Sequence, residues 1–288
     1  MRIPLLVVLL AALLGRVVAA ETPVCPPHTI ANSQLRVLPD KVAGRTYQLH
    51  IGLPASYAAN PDKKYPVVYV TDGYWDFEKL IAIRGALVFD KVVPEFIVVG
   101  LGYAGTDLNY GNLRLRELSP VMVFNNPESG RAAEFLQTIE QQVIPLIERE
   151  YRGDPAYRVL GGASLGGLFT LYAMYTKPEL FNAYMAVTPA VVLDNDWLLG
   201  YEQDFAKAGK ELKGRLYVTV GENEGQGFAA GVKRYNERVK SRQYPHLAYD
   251  FRVIDGERHA GMQVESYVRG LRFAFLPLAP ETGVGTFP

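Results

Sequence analysis

The sequence predicts an α/β fold, a mostly parallel central sheet with helices on both faces. Three observations lead there. Short β-branched and aromatic runs recur along the chain and end in Gly- or Asp-containing turns. Segments of helical length and periodicity stand between several of them, the alternation that builds a parallel sheet covered on both sides. Third, roughly 268 residues remain after an N-terminal leader, enough for one large domain.

The leader comes first. Residues 1–20, MRIPLLVVLLAALLGRVVAA, carry Arg2, then an apolar run, then small residues before Glu21. This pattern predicts a secretory signal peptide cleaved near Ala19 or Ala20, and hence a periplasmic or secreted protein. Arg16 interrupts the run, which is short for a membrane span. Residues 21–288 then form a single domain. Cys25 is the only cysteine, so no internal disulfide is expected.

Residues 21–33 are Pro-rich and polar and read as peripheral. In 44–54, Tyr47, Leu49, Ile51 and Leu53 alternate onto one face of a half-buried strand. YPVVYVTDG (65–73) and EFIVVGLGY (95–103) read as buried strands. Over 131–151, Phe135, Ile139, Val143, Leu146 and Ile147 share a helical face, with a kink expected at Pro145. YRVLGG (157–162) is a short strand, and LGGLFTLYAMYTKP (165–178) a buried helix stopped at Pro178. Three more buried strands are expected at 184–190, 215–221 and 249–256, with a helix at 229–242 between the last two. In such sheets functional groups gather at the carboxyl ends of strands. That singles out the turns after Thr71, Gly100, Gly161, Val220 and Ile254.

The turn after Gly161 is the most specific. Gly162-Ala163-Ser164-Leu165-Gly166 is a GxSxG sequence between a predicted strand and a predicted helix, the context of a nucleophile elbow. Glycines allow the tight turn, and the helix N-terminus favours negative charge. Ser164 needs a base, and the base needs an orienting acid. Of four histidines, His28 is peripheral, His50 lies inside a strand and His246 precedes the last strand. His259 alone follows that strand in a loop leading to a helix. For the acid, Glu224 in VTVGENEG comes first, with Glu222, Asp194 and Asp196 as alternatives; Asp255 and Glu257 read as turn formers. An oxyanion hole would use the N–H of Leu165, and that of Tyr74 just after Asp72-Gly73.

At these residues the chain resembles the esterase D / putative esterase branch of the α/β-hydrolases, including its siderophore esterases of enterobactin type, from about Tyr47 to the C-terminal helix. The matching pieces are YPVVYVTDGYWDF, LRLRELSP, FLQTIEQQVIPLIEREYR, GGASLGGLFTLYAMYTKPELFNAYMAVTPAV, VGENEG and GERHAGM. The resemblance implies the α/β-hydrolase fold, Ser164 as nucleophile, His259 as base, Glu224 as acid and Tyr74 as second oxyanion donor. It also implies that the Arg114–Pro120 region helps hold an anionic substrate. The histidine loop departs from the family's Gly-His-Asp or Gly-Gly-His, reading Glu-Arg-His-Ala here.

Loops at the sheet end carry Trp75, Phe77, Tyr103, Tyr110, Trp197 and Tyr201, with Arg114 and Arg116. Aromatics with arginines suit a large, flat, anionic or aromatic ester, and Arg114, Arg116, Trp75 and Trp197 are the candidate substrate contacts. The expected function is a serine carboxylic ester hydrolase acting on siderophore esters. The alternatives are a small acyl or feruloyl-type esterase, an acyltransferase, and a hydrolase fold that only binds its ligand. Thirty basic and thirty acidic residues leave no net charge. No basic cluster suggests nucleic acid and no Cys/His cluster suggests zinc, so no cofactor, metal or nucleic-acid partner is expected.

Overall fold

The computed structural model describes residues 28–39 and 45–280. The leader and Cys25 lie outside the described residues, and of the N-terminal unit Met1–Ala31 only His28–Ala31 are described. From Asn32 onward the chain packs as one unit.

Eight strands form one sheet in the order β1-β2-β4-β3-β5-β6-β7-β8. They are β1 (Ser33–Pro39), β2 (Thr46–Gly52), β3 (Tyr65–Val70), β4 (Ile97–Tyr103), β5 (Gly153–Ala163), β6 (Ala183–Val187), β7 (Lys213–Gly221) and β8 (His246–Ile254). β2 runs antiparallel to both β1 and β4. From β4 to β8 every neighbour is parallel. The parallel interior explains the continuous apolar runs of the central strands: every residue of β4 and of β6 is buried. At the margins the pattern weakens. β1 is exposed along most of its length, and β8 is half-exposed, with Val253 at 45 %. The expectation of a buried last strand is corrected here, because β8 is an edge. His246 opens β8 rather than preceding it.

The helices are α1 (Gly73–Phe89), α2 (Tyr110–Leu118), α3 (Ala132–Thr138), α4 (Ile144–Glu150), α5 (Leu165–Thr176), α6 (Leu193–Lys207), α7 (Gln226–Arg242) and α8 (Gln263–Phe275). Alternate strand residues divide between two faces. Tyr65, Val67 and Tyr69 join Phe135, Ile139, Ile147 and Phe169 in the larger core. On the other face α8 lies so close to the sheet that a Cβ at Gly270 would meet Met185 Sδ at 3.0 Å and Tyr217 at 3.1 Å. α1 packs there as well, against β2 and β4 and beside α8.

The helical reading of 131–151 holds, and all five stripe residues are buried. The kink expected at Pro145 takes the form of a π-helical segment, Ile139–Val143, joining α3 to α4. Proline has no N–H for the residue four back, and one wide turn absorbs the missing bond. Periodicity did not reveal α1, α2 or α6. α1 is split between a strand-to-turn signal and an unassigned stretch. α6 begins with three left-handed residues, Asp194, Asn195 and Asp196 (φ 49°, 54° and 61°), which break the helical pattern.

Candidate active site

The site grows from five strand ends, those of β3, β5, β6, β7 and β8. β3 ends in Thr71-Asp72-Gly73, where Asp72 is left-handed (φ 55°) and caps α1. Gly73 is required there, because a Cβ would stand 2.6 Å from the Gly100 carbonyl carbon. β5 ends at Ala163, and Ser164 takes φ 59°, ψ −115° before α5 begins at Leu165. The two flanking glycines are needed too: a Cβ on Gly162 or Gly166 would collide with the Thr71 hydroxyl. The β3 and β5 turns therefore meet in contact, with Ser164 at the top of a tight, left-handed corner.

The β6 turn fastens that corner. Ser164 N–H donates to the Val187 carbonyl (3.0 Å), and the Ser164 carbonyl accepts from Ala190 N–H (3.0 Å) and Leu168 N–H (3.0 Å). The N–H groups of Leu165 and Tyr74 belong to the first turns of α5 and α1, so neither can be satisfied inside its own helix.

His259 follows β8. Its Nδ1 stands 3.4 Å from Glu224 Oε1, which leaves Nε2 on the far side of the ring. The Glu224 carboxylate is buried, while the imidazole side chain keeps 45 % exposure. Phe228 meets the imidazole edge-on, with ring centroids 5.0 Å apart at 88°. Glu224 Oε1 also accepts from the Thr188 hydroxyl. The other acids point elsewhere. Glu222 accepts from Gly256 N–H at 2.8 Å, and that bond, then Asp255, draws its carboxyl below the usual range. Asp196 pairs with Arg234, and Asp194 is exposed. Asp255 and Glu257 lie in the turn after β8, where the Glu257 carbonyl accepts from Asn223 N–H at 2.8 Å.

Ser164 and His259 line one open cavity of about 130 Å³, together with Asp72, Trp75, Asp76, Arg114, Ala163 and Gln263. Of the four proposed substrate contacts, Trp75 and Arg114 reach this cavity and Arg116 and Trp197 do not line it. Trp197 stacks on Tyr201 (4.8 Å, 17°) and faces Tyr172, in a separate aromatic group on α5 and α6. Phe77 is buried against His50. Tyr74 packs 4.0 Å from Tyr110 and 4.4 Å from Trp75, with Tyr103 in the same aromatic group, and of these four Trp75 lines the cavity.

Arg114 does not present a free guanidinium. Its Nε donates to Asp72 Oδ1 at 2.7 Å and its Nη2 to Asp72 Oδ2 at 3.1 Å. Burial pushes the Asp72 carboxyl above the usual range; Arg114 opposes that rise and neighbouring Asp76 adds to it. Asp76 is also buried, accepting from Lys79 Nζ (2.6 Å) and the Tyr267 hydroxyl (2.6 Å). Sequence reasoning passed over Asp72, except as a turn former, and over Asp76 and Gln263. Their only signal is position: Asp72 and Asp76 are four apart across the start of a helix that was not recognised.

Residues 41–263, more than half of the chain, match the family model described as "Putative esterase". The chain is 26 % identical over 275 residues to ferri-bacillibactin esterase BesA of Bacillus subtilis, covering 89 % of this chain and 94 % of that one. It is 29 % identical over 181 residues to the siderophore enterobactin esterase of Emericella nidulans, 55 % of this chain and 59 % of that one. Among solved structures, the BES protein from Bacillus cereus superposes with a TM-score of 0.78 at 27 % identity, over 87 % of this chain and 98 % of that one. An IroE-like serine hydrolase from Shewanella oneidensis gives 0.77 at 23 % identity, over 86 % and 82 %, a likeness of fold.

Proposed function

This chain belongs to the esterase family, and we propose that it cleaves siderophore esters through Ser164, His259 and Glu224. The observation that carries the reading is the meeting of a left-handed serine corner and a buried-carboxylate–imidazole pair at one cavity. His259 Nε2 takes the Ser164 proton as Oγ bonds to the ester carbonyl carbon. The carbonyl oxygen becomes an oxyanion held by the N–H groups of Leu165 and Tyr74, each worth about 3 kcal/mol. The carbon–oxygen ester bond breaks, and the alcohol leaves with the proton from His259. Water then attacks the acyl-serine carbonyl and gives a proton to His259; the acyl–Oγ bond breaks, the acid departs, and His259 passes that proton to Ser164 Oγ. Glu224 holds the tautomer that places the Nδ1 proton toward itself and steadies the imidazolium.

The siderophore reading is supported by relatives that bear siderophore-esterase names, and by an exposed Trp75 at a small, open cavity that leaves most of a large ester outside. The apolar leader supports export to the periplasm or beyond. Among the described residues no helix is long and apolar enough to cross a membrane.

The test is intact mass after a fluorophosphonate probe, on the wild type and on Ser164→Ala. One adduct on the wild type and none on the variant is the expected result; no adduct on either would favour a fold that binds without reacting. A ferric catecholate trilactone is then compared with short acyl and feruloyl esters by kcat/KM. A higher value for the short esters would overturn the substrate assignment and leave the esterase intact.

A further inference from the structure

Glu224 is held by a residue that no reading of the motifs would have chosen. Thr188 follows β6 directly, is fully buried, and has φ 40°. A β-branched residue at positive φ is a true backbone outlier, kept only where its surroundings fix it. Two bonds fix this one. Its N–H donates to the Thr219 carbonyl at 2.9 Å, and its hydroxyl donates to Glu224 Oε1. Oε1 is the same oxygen that faces His259 Nδ1. The neighbouring Val187 and Ala190 are bonded to Ser164. A Cβ on Gly167, in the elbow helix, would stand 2.9 Å from Pro189 Cα, so the Thr188 turn and the elbow are in contact.

We propose that Thr188 is a positioning residue: its strained backbone aims one hydroxyl at Glu224, fixing the carboxylate oxygen that orients His259. This rests on the triad reading above. The hydroxyl satisfies part of a buried carboxylate's charge, and it selects which oxygen faces the imidazole. Without it the carboxylate can turn about its terminal torsion, since Oε2 has no hydrogen-bond partner to hold it.

The test is steady-state kinetics on a p-nitrophenyl butyrate series, with Thr188→Val, Thr188→Ser and Thr188→Ala beside Ser164→Ala. Thr188→Val keeps shape and branching and removes the donor. It should lower kcat roughly ten-fold, the rate equivalent of one charge-assisted hydrogen bond, with KM within about two-fold. The acid limb of kcat/KM against pH should also move, because the carboxylate that steadies the imidazolium has lost the donor that fixes it. Thr188→Ser should recover most of kcat. In a Glu224→Gln background Thr188→Val should cost little more, since the two act through one contact. If Thr188→Val does not fold, Thr188→Ser against Thr188→Ala gives the same comparison, both lacking the methyl and only serine keeping the donor.

Unchanged kcat and pH profile with only a lowered melting temperature would overturn the proposal, as would effects that add fully to those of Glu224→Gln. Ser164→Ala separates the two levels. If it retains turnover, the triad reading fails and the Thr188 assignment with it. If it is inactive while Thr188→Val is wild-type in rate, only the Thr188 assignment fails.

Discussion

Of the buried carboxylates that meet arginines, Glu202 and Asp72 are treated in opposite ways. Glu202, in α6, is fully buried and accepts from Arg242 Nε at 2.8 Å and Nη2 at 3.1 Å, from Arg238 Nη1 at 3.2 Å and from the Tyr244 hydroxyl at 2.8 Å. Burial works against its charge, but these hydrogen bonds overcome it and its carboxyl lies below the usual range. Asp72 is almost as buried, yet has one guanidinium, a Tyr74 hydroxyl at 3.3 Å and another carboxylate nearby. Its carboxyl is pushed up. The α6–α7 cluster satisfies its charge fully and ties two helices together. The Asp72 cluster leaves its charge under-compensated, on a left-handed residue, in the lining of the cavity. Charge that is held at a cost is the commoner sign of a functional position.

On the Asp72 side the expected effect is on rate. Asp72→Asn removes the anion that Arg114 grips and loosens the turn that carries Tyr74 N–H. A loss of about 10²–10³ in kcat is expected, on the scale of one oxyanion donor, with a thermal melt close to wild type. A large fall in melting temperature with kcat intact would instead put Asp72 in the same structural class as Glu202. Arg114→Lys asks a finer question. Lysine keeps the charge and loses the fork that spans both Asp72 oxygens. If Arg114 acts by bracing Asp72, kcat falls about ten-fold and KM holds. If it grips an anionic substrate, KM for the catecholate ester rises while p-nitrophenyl esters are unaffected.

How much of this was readable beforehand follows the same division. The strands at the sheet centre announced themselves, because parallel strands buried on both faces must be continuously apolar. The GxSxG turn was legible because backbone geometry dictates its glycines, and the collisions a Cβ would suffer against Thr71 give the reason. His259 was reached by chain order alone. The Glu224 preference came from the resemblance, whose Gly-x-x-acid pattern falls on Gly221-Glu222-Asn223-Glu224; in the structure the turn aims Glu222, two residues away, at Gly256. Thr188 and Asp72 were illegible for a different reason. Each matters through its φ and through a partner distant in sequence, 36 residues for Thr188 and 42 for Asp72, and neither is written in local composition. The two arginines expected to meet substrate show the converse. Arg114 and Arg116 look equivalent in the sequence, but only Arg114 lines the cavity.

On the Glu202 side the expected effect is on stability. Glu202→Gln should leave kcat unchanged and destabilise by about 1–2 kcal/mol. That is below the 3–5 kcal/mol of a wholly buried pair, because Arg238 and Arg242 each keep 31 % exposure and can turn to water. For a domain of this size the melting temperature should drop about 2–6 °C. The sign with pH follows from the lowered carboxyl. Its stabilisation is complete above the unfolded value of 4.5 and is lost as pH falls through the lower folded value. The gap between wild type and variant should therefore be full at neutral pH and close below 4.5. A gap that stays open in strong acid would mean that packing, and not charge, holds the two helices.

The smallest effect falls between the two carboxylates of the β7 turn. Glu222 is exposed and accepts from Gly256 N–H in the turn after β8. Glu222→Gln keeps an acceptor for that N–H and should change kcat less than about two-fold and leave the melting temperature close to wild type. Glu224→Gln, two residues on, should lower kcat about 10³–10⁴-fold, as a triad acid does when the imidazole takes the wrong tautomer. The pair of variants is matched in chemistry and lies two residues apart, and the settings differ: one exposed carboxylate faces a backbone turn and the other, buried, faces His259. Equal losses in both would mean that the turn as a whole sets the position of His259, and the acid's role would then have to be sought in its backbone and not in its charge.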